Sequence, residues 1–324
     1  MRVLLTGASS FTGAWFARAL LEEGVELILA LARRPQLYDA ERSTRLAPLL
    51  ASKRVRTVED APFGSARFIE LCRALGPLDV LALHGAVVGD HRARDFPVRE
   101  AVRTNTFRLE RVLERAARSG CRAIVVTGSV FEAGEGGGGD RARPVNPYGL
   151  AKTLTWRRFA RKAPAYGFTL GKFTIPAPFG PGEKPNLPRA LMEAWLRDAV
   201  PHVRHPHLVR DHVPVDALAR AYARFVLELS HRKGVLYRRP SGFAEPIGSF
   251  ARRLGAAMRP RLARPCRVNL ADPPLPSPEP AVRINDEPLE ALVPEADPER
   301  FFDAYAAFYR NRAKGPRSVF GRAA

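Results

Sequence analysis

Cysteine is scarce in this chain, and the three present, Cys72, Cys121 and Cys266, are far apart and odd in number. That spacing excludes a disulfide framework and leaves no paired ligands for a zinc site, so no metal is expected. Long hydrophobic runs are absent as well. No window approaches the roughly 18 uninterrupted apolar residues of a membrane span, and Met1 leads almost directly into the strand-like Arg2 to Thr6. The expectation is a cytoplasmic protein with no secretory leader and no membrane insertion. Acidic residues are few, 33 against 52 basic ones, for a net charge of +19. Lysine is rarer still: seven of the basic residues are Lys, so 52 − 7 = 45 are Arg. The arginines are scattered along the whole chain, whereas a nucleic-acid footprint gathers on one face, so biased composition explains them better than a polynucleotide partner.

What is present is enough apolar sequence to bury a full core: 324 residues, 46% hydrophobic and 26% charged. Strand-like runs alternate with amphipathic helical ones: Val3 to Thr6, Ala14 to Glu23, Leu27 to Ala32, Arg54 to Val58, Ala66 to Leu75, Leu78 to His84, one long helix from Val98 to Ser119, and Ala123 to Thr127. Strands spaced by helices need crossover connections, which predicts an α/β fold with a doubly wound parallel sheet of Rossmann type. Beyond the strand Thr169 to Thr174, Pro and Gly crowd residues 176–188 and 260–280. The expected division is therefore a dinucleotide-binding domain over 1–174, a smaller irregular C-terminal substrate lobe over 175–312 that returns to the main sheet, and a basic flexible tail over 313–324. The stretch from Glu132 to Pro147, with Gly136 to Gly139 in a row, reads as a mobile flap.

Thr6-Gly7-Ala8-Ser9-Ser10-Phe11-Thr12-Gly13 lies between the first strand and the first helix. A tight turn there delivers backbone N–H groups and a helix N-terminus to a pyrophosphate. Ser10 stands where such turns often carry their middle glycine, and its hydroxyl is expected to add a contact. The second strand ends Leu29-Ala30-Leu31-Ala32-Arg33-Arg34. An acidic residue at this point would bind ribose hydroxyls. Two guanidiniums suit a 2′-phosphate instead, so NADP(H) is preferred and NAD(H) stays possible. Asp60, His84, Gly85, Ala86, Asn105 and Ile175 complete the expected cofactor lining.

Tyr148 and Lys152, four residues apart near a helix start, project from one face. A free phenol ionises near pH 10, and an adjacent ammonium brings it toward working pH. Thr127 at the end of a central strand is expected to hydrogen-bond the reacting oxygen, with Ser129 second in line. His84 reads as a packing residue rather than an acid or base, and His202, His205 and His207 as solvated.

These motifs, taken in order, resemble the extended short-chain dehydrogenase/reductase family, the NAD-dependent epimerase/dehydratase group acting on nucleotide sugars. Thr6 to Gly13 resembles its glycine motif, Leu83-His84-Gly85-Ala86 its fourth strand end, and Asn105 the Asn of its central helix. Thr127-Gly128-Ser129-Val130-Phe131 resembles its Ser/Thr-x-x-Val-Tyr segment, and Tyr148 and Lys152 its acid/base pair. Phe179-Gly180-Pro181-Gly182 and Arg210-Asp211-His212-Val213-Pro214-Val215-Asp216 resemble its Tyr-Gly-Pro-Gly turn and its Arg-Asp segment. The resemblance spans about residues 1 to 255. It implies that Asn186 and Arg210 hold a substrate diphosphate, with Ser129 beside the sugar, and that helices near Arg99 to Ala116 and Leu150 to Arg161 form a homodimer. Ala177 replaces an Asn common in the family. Gly128 and Ser129 replace the Asp-Glu of the 4,6-dehydratases, which disfavours water elimination. The resulting expectation is an NADPH-dependent keto-sugar reductase with Tyr148 as proton donor. Its alternatives are a 4-epimerase and, in another class, a non-catalytic cofactor-binding module.

Overall fold

The apolar runs become strands that the helices separate. The chain forms β1 (Arg2–Thr6), α1 (Phe11–Glu22), β2 (Glu26–Ala30), α2 (Ala40–Leu50), β3 (Val55–Val58), α3 (Ala66–Ala74), β4 (Val80–Leu83), α4 (Val98–Asn105), α5 (Leu109–Arg118), β5 (Ala123–Ser129), α6 (Pro147–Lys162) and β6 (Thr169–Ile175). There follow β7 (Ala177–Phe179), α7 (Leu187–Leu196), β8 (His202–Val203), β9 (Val209–Pro214), α8 (Val215–Leu229) and β10 (Val235–Arg238). The C-terminal part holds β11 (Pro240–Ser241), β12 (Phe243–Pro246), α9 (Ile247–Leu262), β13 (Asn269–Leu270), β14 (Val282–Arg283), β15 (Glu287–Pro288), α10 (Leu289–Leu292) and α11 (Pro298–Lys314). This computed structural model describes residues 1–74, 76–137, 143–272, 277 and 279–314.

The main sheet runs β10-β6-β5-β4-β1-β2-β3, and every neighbouring pair is parallel. That is the doubly wound order with one further strand, and it puts the carboxyl ends of β1, β4 and β5 side by side at the switch point. Both faces are covered, as an all-parallel sheet requires. Leu5, Leu29 and Phe173 pack under α1 and α8, where the Phe16 and Tyr222 rings stack 4.0 Å apart. Leu4, Ile124 and Leu170 pack under α3, α5 and α6. The lobe has its own core around Phe179, Trp195, Phe250, Phe301 and Tyr305, and its sheet is built on β9, which pairs with β7, β12 and β14.

Several expectations change. The long helix from Val98 to Ser119 is two helices, broken at Thr106 to Arg108, where Arg108 takes φ +48°. Thr104-Asn105-Thr106 are weak helix formers. The Phe107 carbonyl also lies where a side chain on Gly64 would begin, so the chain can turn there only over a glycine. β5 runs two residues past Thr127, paired with β6 as far as Ser129 opposite Ile175. The flap is anchored at its start, since Glu132 and Glu135 are buried; residues 138–142 lie outside the described residues. Ala313 and Lys314 belong to the last turn of α11 rather than to the tail, and residues 315–324 lie outside the described ones.

Candidate active site

The turn after β1 is built to let backbones approach one another. Gly7 sits at φ +77°, and a side chain there would meet the Gly85 backbone at 2.6 Å, so the β1 and β4 turns touch only because both are glycine. Thr6 Oγ1 accepts the Gly85 N–H at 2.9 Å, which ties the two turns together. Ser10 caps α1, its Oγ accepting the Gly13 N–H at 3.1 Å, so the free N–H groups of the first helical turn face the rim. This cradle fits the diphosphate of a dinucleotide.

His84 Nε2 lies 3.0 Å from Ser10 Oγ and 3.1 Å from Thr12 Oγ1, and its Nδ1 lies 3.1 Å from Thr127 Oγ1. Burial brings the imidazole down to about 3, with the Lys152 charge adding to the effect, so the ring is neutral and bridges the cradle to β5. His84 is thus a packing and bridging residue. The Ser10 hydroxyl points inward to its cap and to His84, not outward as expected. Ser9 is buried in the turn, and the Phe11 ring belongs to the core of the lobe.

The remaining expected lining separates into two groups. Asn105 Oδ1 accepts the Val87 N–H at 2.9 Å and braces the loop that carries Ala86, while its buried Nδ2 has no partner among the described residues. Arg34 is held by Asp60 at 2.8 Å, so Asp60 serves the arginine. The exposed Arg33 guanidinium has no ion pair among the described residues. Ile175, half-buried, packs at the edge of the core at the end of β6.

Asn146 starts α6, its Oδ1 accepting the Gly149 N–H at 2.9 Å, with Pro147 in the first turn. A side chain at Gly149 would strike the Phe131 carbonyl at 2.0 Å, so this glycine lets α6 close onto the strand end. Tyr148 then sits among the His91, Phe96 and Phe131 rings at 5.9, 5.6 and 6.0 Å. One turn on, Lys152 is buried and donates to the Thr127 carbonyl.

The two β5 hydroxyls have different surroundings. Thr127 is 3% exposed inside the paired strand and lies 3.1 Å from His84 Nδ1, whereas the Ser129 hydroxyl, at the last paired position of β5, accepts the Phe131 N–H at 3.3 Å. The extra paired length of β5 is the reason. Burial first, then the Glu132 charge, hold the Tyr148 phenol above its usual range, and Ser129 pulls the other way. Burial lowers the Lys152 ammonium, with Glu132 opposing.

Sequence reading missed the charges behind this pair. Glu132 lies 2.7 Å from Lys172 and accepts the Ser129 N–H at 2.8 Å; Lys172 also reaches Glu135 at 2.9 Å, and Glu135 reaches Arg239 at 2.7 Å. The signal available was one of only seven lysines set in the middle of the apolar strand β6.

On the lobe side, Arg210 donates to the Pro280 carbonyl at 3.0 Å and pairs with Glu279 at 3.0 Å. Arg283, also missed, shares that same carboxylate at 3.0 Å and lies 4.0 Å over the Phe131 ring. Two buried guanidiniums on one carboxylate leave positive charge in excess beside the site. Burial, with Arg210 adding to it, lowers Arg283 to about 10. Asn186 is turned inward. It caps α7 through Arg189 N at 2.9 Å and donates to Glu183 at 2.9 Å, so the structure does not bring its side chain to the Arg210 group. His202 and His207 are exposed, and no group of metal-ligating side chains occurs among the described residues. No helix among those residues is long and apolar enough to cross a membrane.

No curated protein matches the chain in sequence. Solved structures match it in fold. A UDP-glucose 4-epimerase from Thermotoga maritima superposes with a TM-score of 0.74 at 16% identity, covering 97% of this chain and 100% of that one. A UDP-glucuronic acid 4-epimerase from Bacillus cereus, in complex with UDP-glucuronic acid and NAD, gives 0.73 at 15%, covering 96% and 100%. A dTDP-glucose 4,6-dehydratase from Streptomyces venezuelae with NAD bound gives 0.71 at 20%, covering 96% and 97%. A sequence model of one family matches residues 3–235, from β1 to the start of β10, and the chain belongs to that NAD dependent epimerase/dehydratase family.

Proposed function

We propose that the protein is an NAD(P)-dependent oxidoreductase acting on a nucleotide sugar, in the first place an NADPH-dependent keto-sugar reductase. The observation that carries this is Tyr148 on α6 one helical turn before the buried Lys152, whose ammonium donates to the Thr127 carbonyl on the strand that His84 joins to the glycine cradle. A nicotinamide bound there supplies the hydride. The chain's own part is the proton: Tyr148 gives its O–H proton to the oxygen of the carbonyl being reduced, Ser129 positions that oxygen, and Lys152 favours the phenolate left behind. The phenolate then regains a proton from solvent. Thr127, bound to His84, holds the strand end in register with the cradle.

Arg210 and Arg283 are suited to a diphosphate because one carboxylate between them leaves charge to spare. Arg33 supports NADP(H), since a guanidinium without an ion pair is available for a 2′-phosphate; the structural relatives named above carry NAD, which supports NAD(H). The 4-epimerase reading is favoured by the two epimerases among those relatives, and Gly128 and Ser129 again speak against a dehydratase. A homodimer through α4, α5 and α6 is supported by the exposed Leu150 on α6 and the exposed Phe107 in the turn between α4 and α5.

Tyr148→Phe is expected to lower turnover by about two orders of magnitude or more while leaving cofactor affinity nearly unchanged. The assay is NADPH oxidation with an added nucleotide keto sugar. Near-normal turnover in the variant sinks the mechanism. NAD carried through gel filtration, with sugar interconversion and no net cofactor consumption, selects the epimerase.

A further inference from the structure

Arg210 and Arg283 stand on neighbouring strands. β9 and β14 run parallel, and their register sets Arg283 directly beside Arg210, so both side chains leave the same face of the lobe sheet. Like charges placed opposite one another across a strand pair are destabilising, and burial adds to the cost. The two side chains are 5% and 8% exposed. The sheet thus holds two cations together out of water, which is tolerable only with an anion between them.

The chain supplies that anion itself. Glu279 Oε2 accepts from Arg210 Nη2 and from Arg283 Nη1, each at 3.0 Å. Arg210 Nη1 is spent on the Val209 and Pro280 carbonyls at 2.8 and 3.0 Å, and the Arg283 guanidinium lies 4.0 Å over the Phe131 ring. Of the two terminal Arg210 nitrogens, Nη2 is the one a ligand can take over, and Glu279 holds it. Glu279 differs from its partners in two ways. At 28% exposure it is the member of the cluster that reaches solvent, and it lies before β14 in no strand of its own. The sheet fixes the cations but not the carboxylate.

We propose that Glu279 is a specificity-determining residue: it fills the diphosphate position of the Arg210 and Arg283 pair as an internal anion, and a nucleoside diphosphate binds by displacing it. The proposal rests on the reading of those arginines as the diphosphate site, and it deepens that reading. The positive charge left over by one carboxylate between two guanidiniums attracts the incoming anion. A rotamer change in Glu279 suffices to make room, since the carboxylate borders solvent. Displacement costs the same for every anion that enters. Free phosphate or pyrophosphate offers the guanidiniums its charge alone and gains little over the carboxylate it replaces. A nucleoside diphosphate adds the contacts of its nucleoside, which offset the cost. The site is thereby closed to small anions and open to the ligand it serves.

The test is E279Q, which removes the charge and keeps the shape. Uridine diphosphate and inorganic pyrophosphate are titrated by calorimetry into the full chain saturated with NAD or NADP, and thermal unfolding is followed with and without uridine diphosphate. The expected result is an affinity for uridine diphosphate about tenfold or more higher in E279Q, with the affinity for pyrophosphate rising by a similar factor. The unliganded variant is expected to melt below the wild type and to gain more from the ligand. A carboxylate that merely organises the arginines predicts lower stability together with equal or weaker affinity, and that outcome overturns the proposal. If E279Q does not fold, E279D, which draws the carboxylate back by one methylene, is judged by the same criterion. Failure of both to fold makes Glu279 part of the scaffold and overturns the proposal as well. Absence of uridine diphosphate binding in wild type and variant alike overturns the diphosphate reading and the proposal with it, whereas equal binding by both overturns the proposal alone.

Discussion

Two buried ionic clusters flank the site, and they are balanced differently. Behind Tyr148, Glu132 and Glu135 face Lys172 and Arg239, two charges of each sign. On the lobe side, Arg210 and Arg283 share one carboxylate among the described residues, Glu279. The first set is complete without a ligand, so its effect is to hold the end of β5 and the segment after it against β6. The second is incomplete, and a bound anion would supply the missing charge.

Removing one member from each cluster should therefore have opposite consequences. Lys172→Met strands two buried carboxylates with only Arg239 for company, and is expected to cost about 3–5 kcal/mol of stability, read by chemical denaturation. A loss under about 1 kcal/mol would mean that the cluster is wetter than its burial suggests.

A third buried carboxylate sharpens the contrast, because its partners are neutral. Glu183 accepts from the Tyr305 and Tyr309 hydroxyls and from Asn186, and burial pushes it up to about 7 from 4.5. The native state thus binds this proton more tightly than the unfolded chain does. The stabilisation is complete below about pH 4.5 and is lost as pH rises through about 7, amounting to about 3 kcal/mol. Glu183→Gln should flatten the fall in Tm across that interval. An unchanged slope would assign the pH dependence to other groups.

Arg283→Met gives the smallest expected effect on the fold, since it leaves Arg210 paired one-to-one with Glu279. Binding should suffer instead, with affinity for uridine diphosphate falling about ten- to hundredfold by calorimetry. Unchanged affinity, with stability lost, would make this cluster structural like the first.

Much of the fold was legible because parallel strands buried on both faces read as continuous apolar runs, from Val3-Leu4-Leu5 to Ile124-Val125-Val126. The helix break at Phe107 was not, because it depends on Gly64, far away in the chain. Gly7, Gly13, Tyr148 and Lys152 were legible from local spacing, since a turn and a single helix face are enough to orient them. The surroundings of Thr127 and Ser129 were not, because they follow from how far β5 stays paired with β6.

The sequence by itself determined the family, the parallel sheet, the cradle and the Tyr148–Lys152 face, because period and turn chemistry act over a few residues. Tertiary structure decided that Asn186 turns inward, that Glu132 pairs with Lys172, and that Arg283 shares Glu279 with Arg210. Burial and charge pairing join residues distant in the chain, and only the folded packing states which of them lose water together.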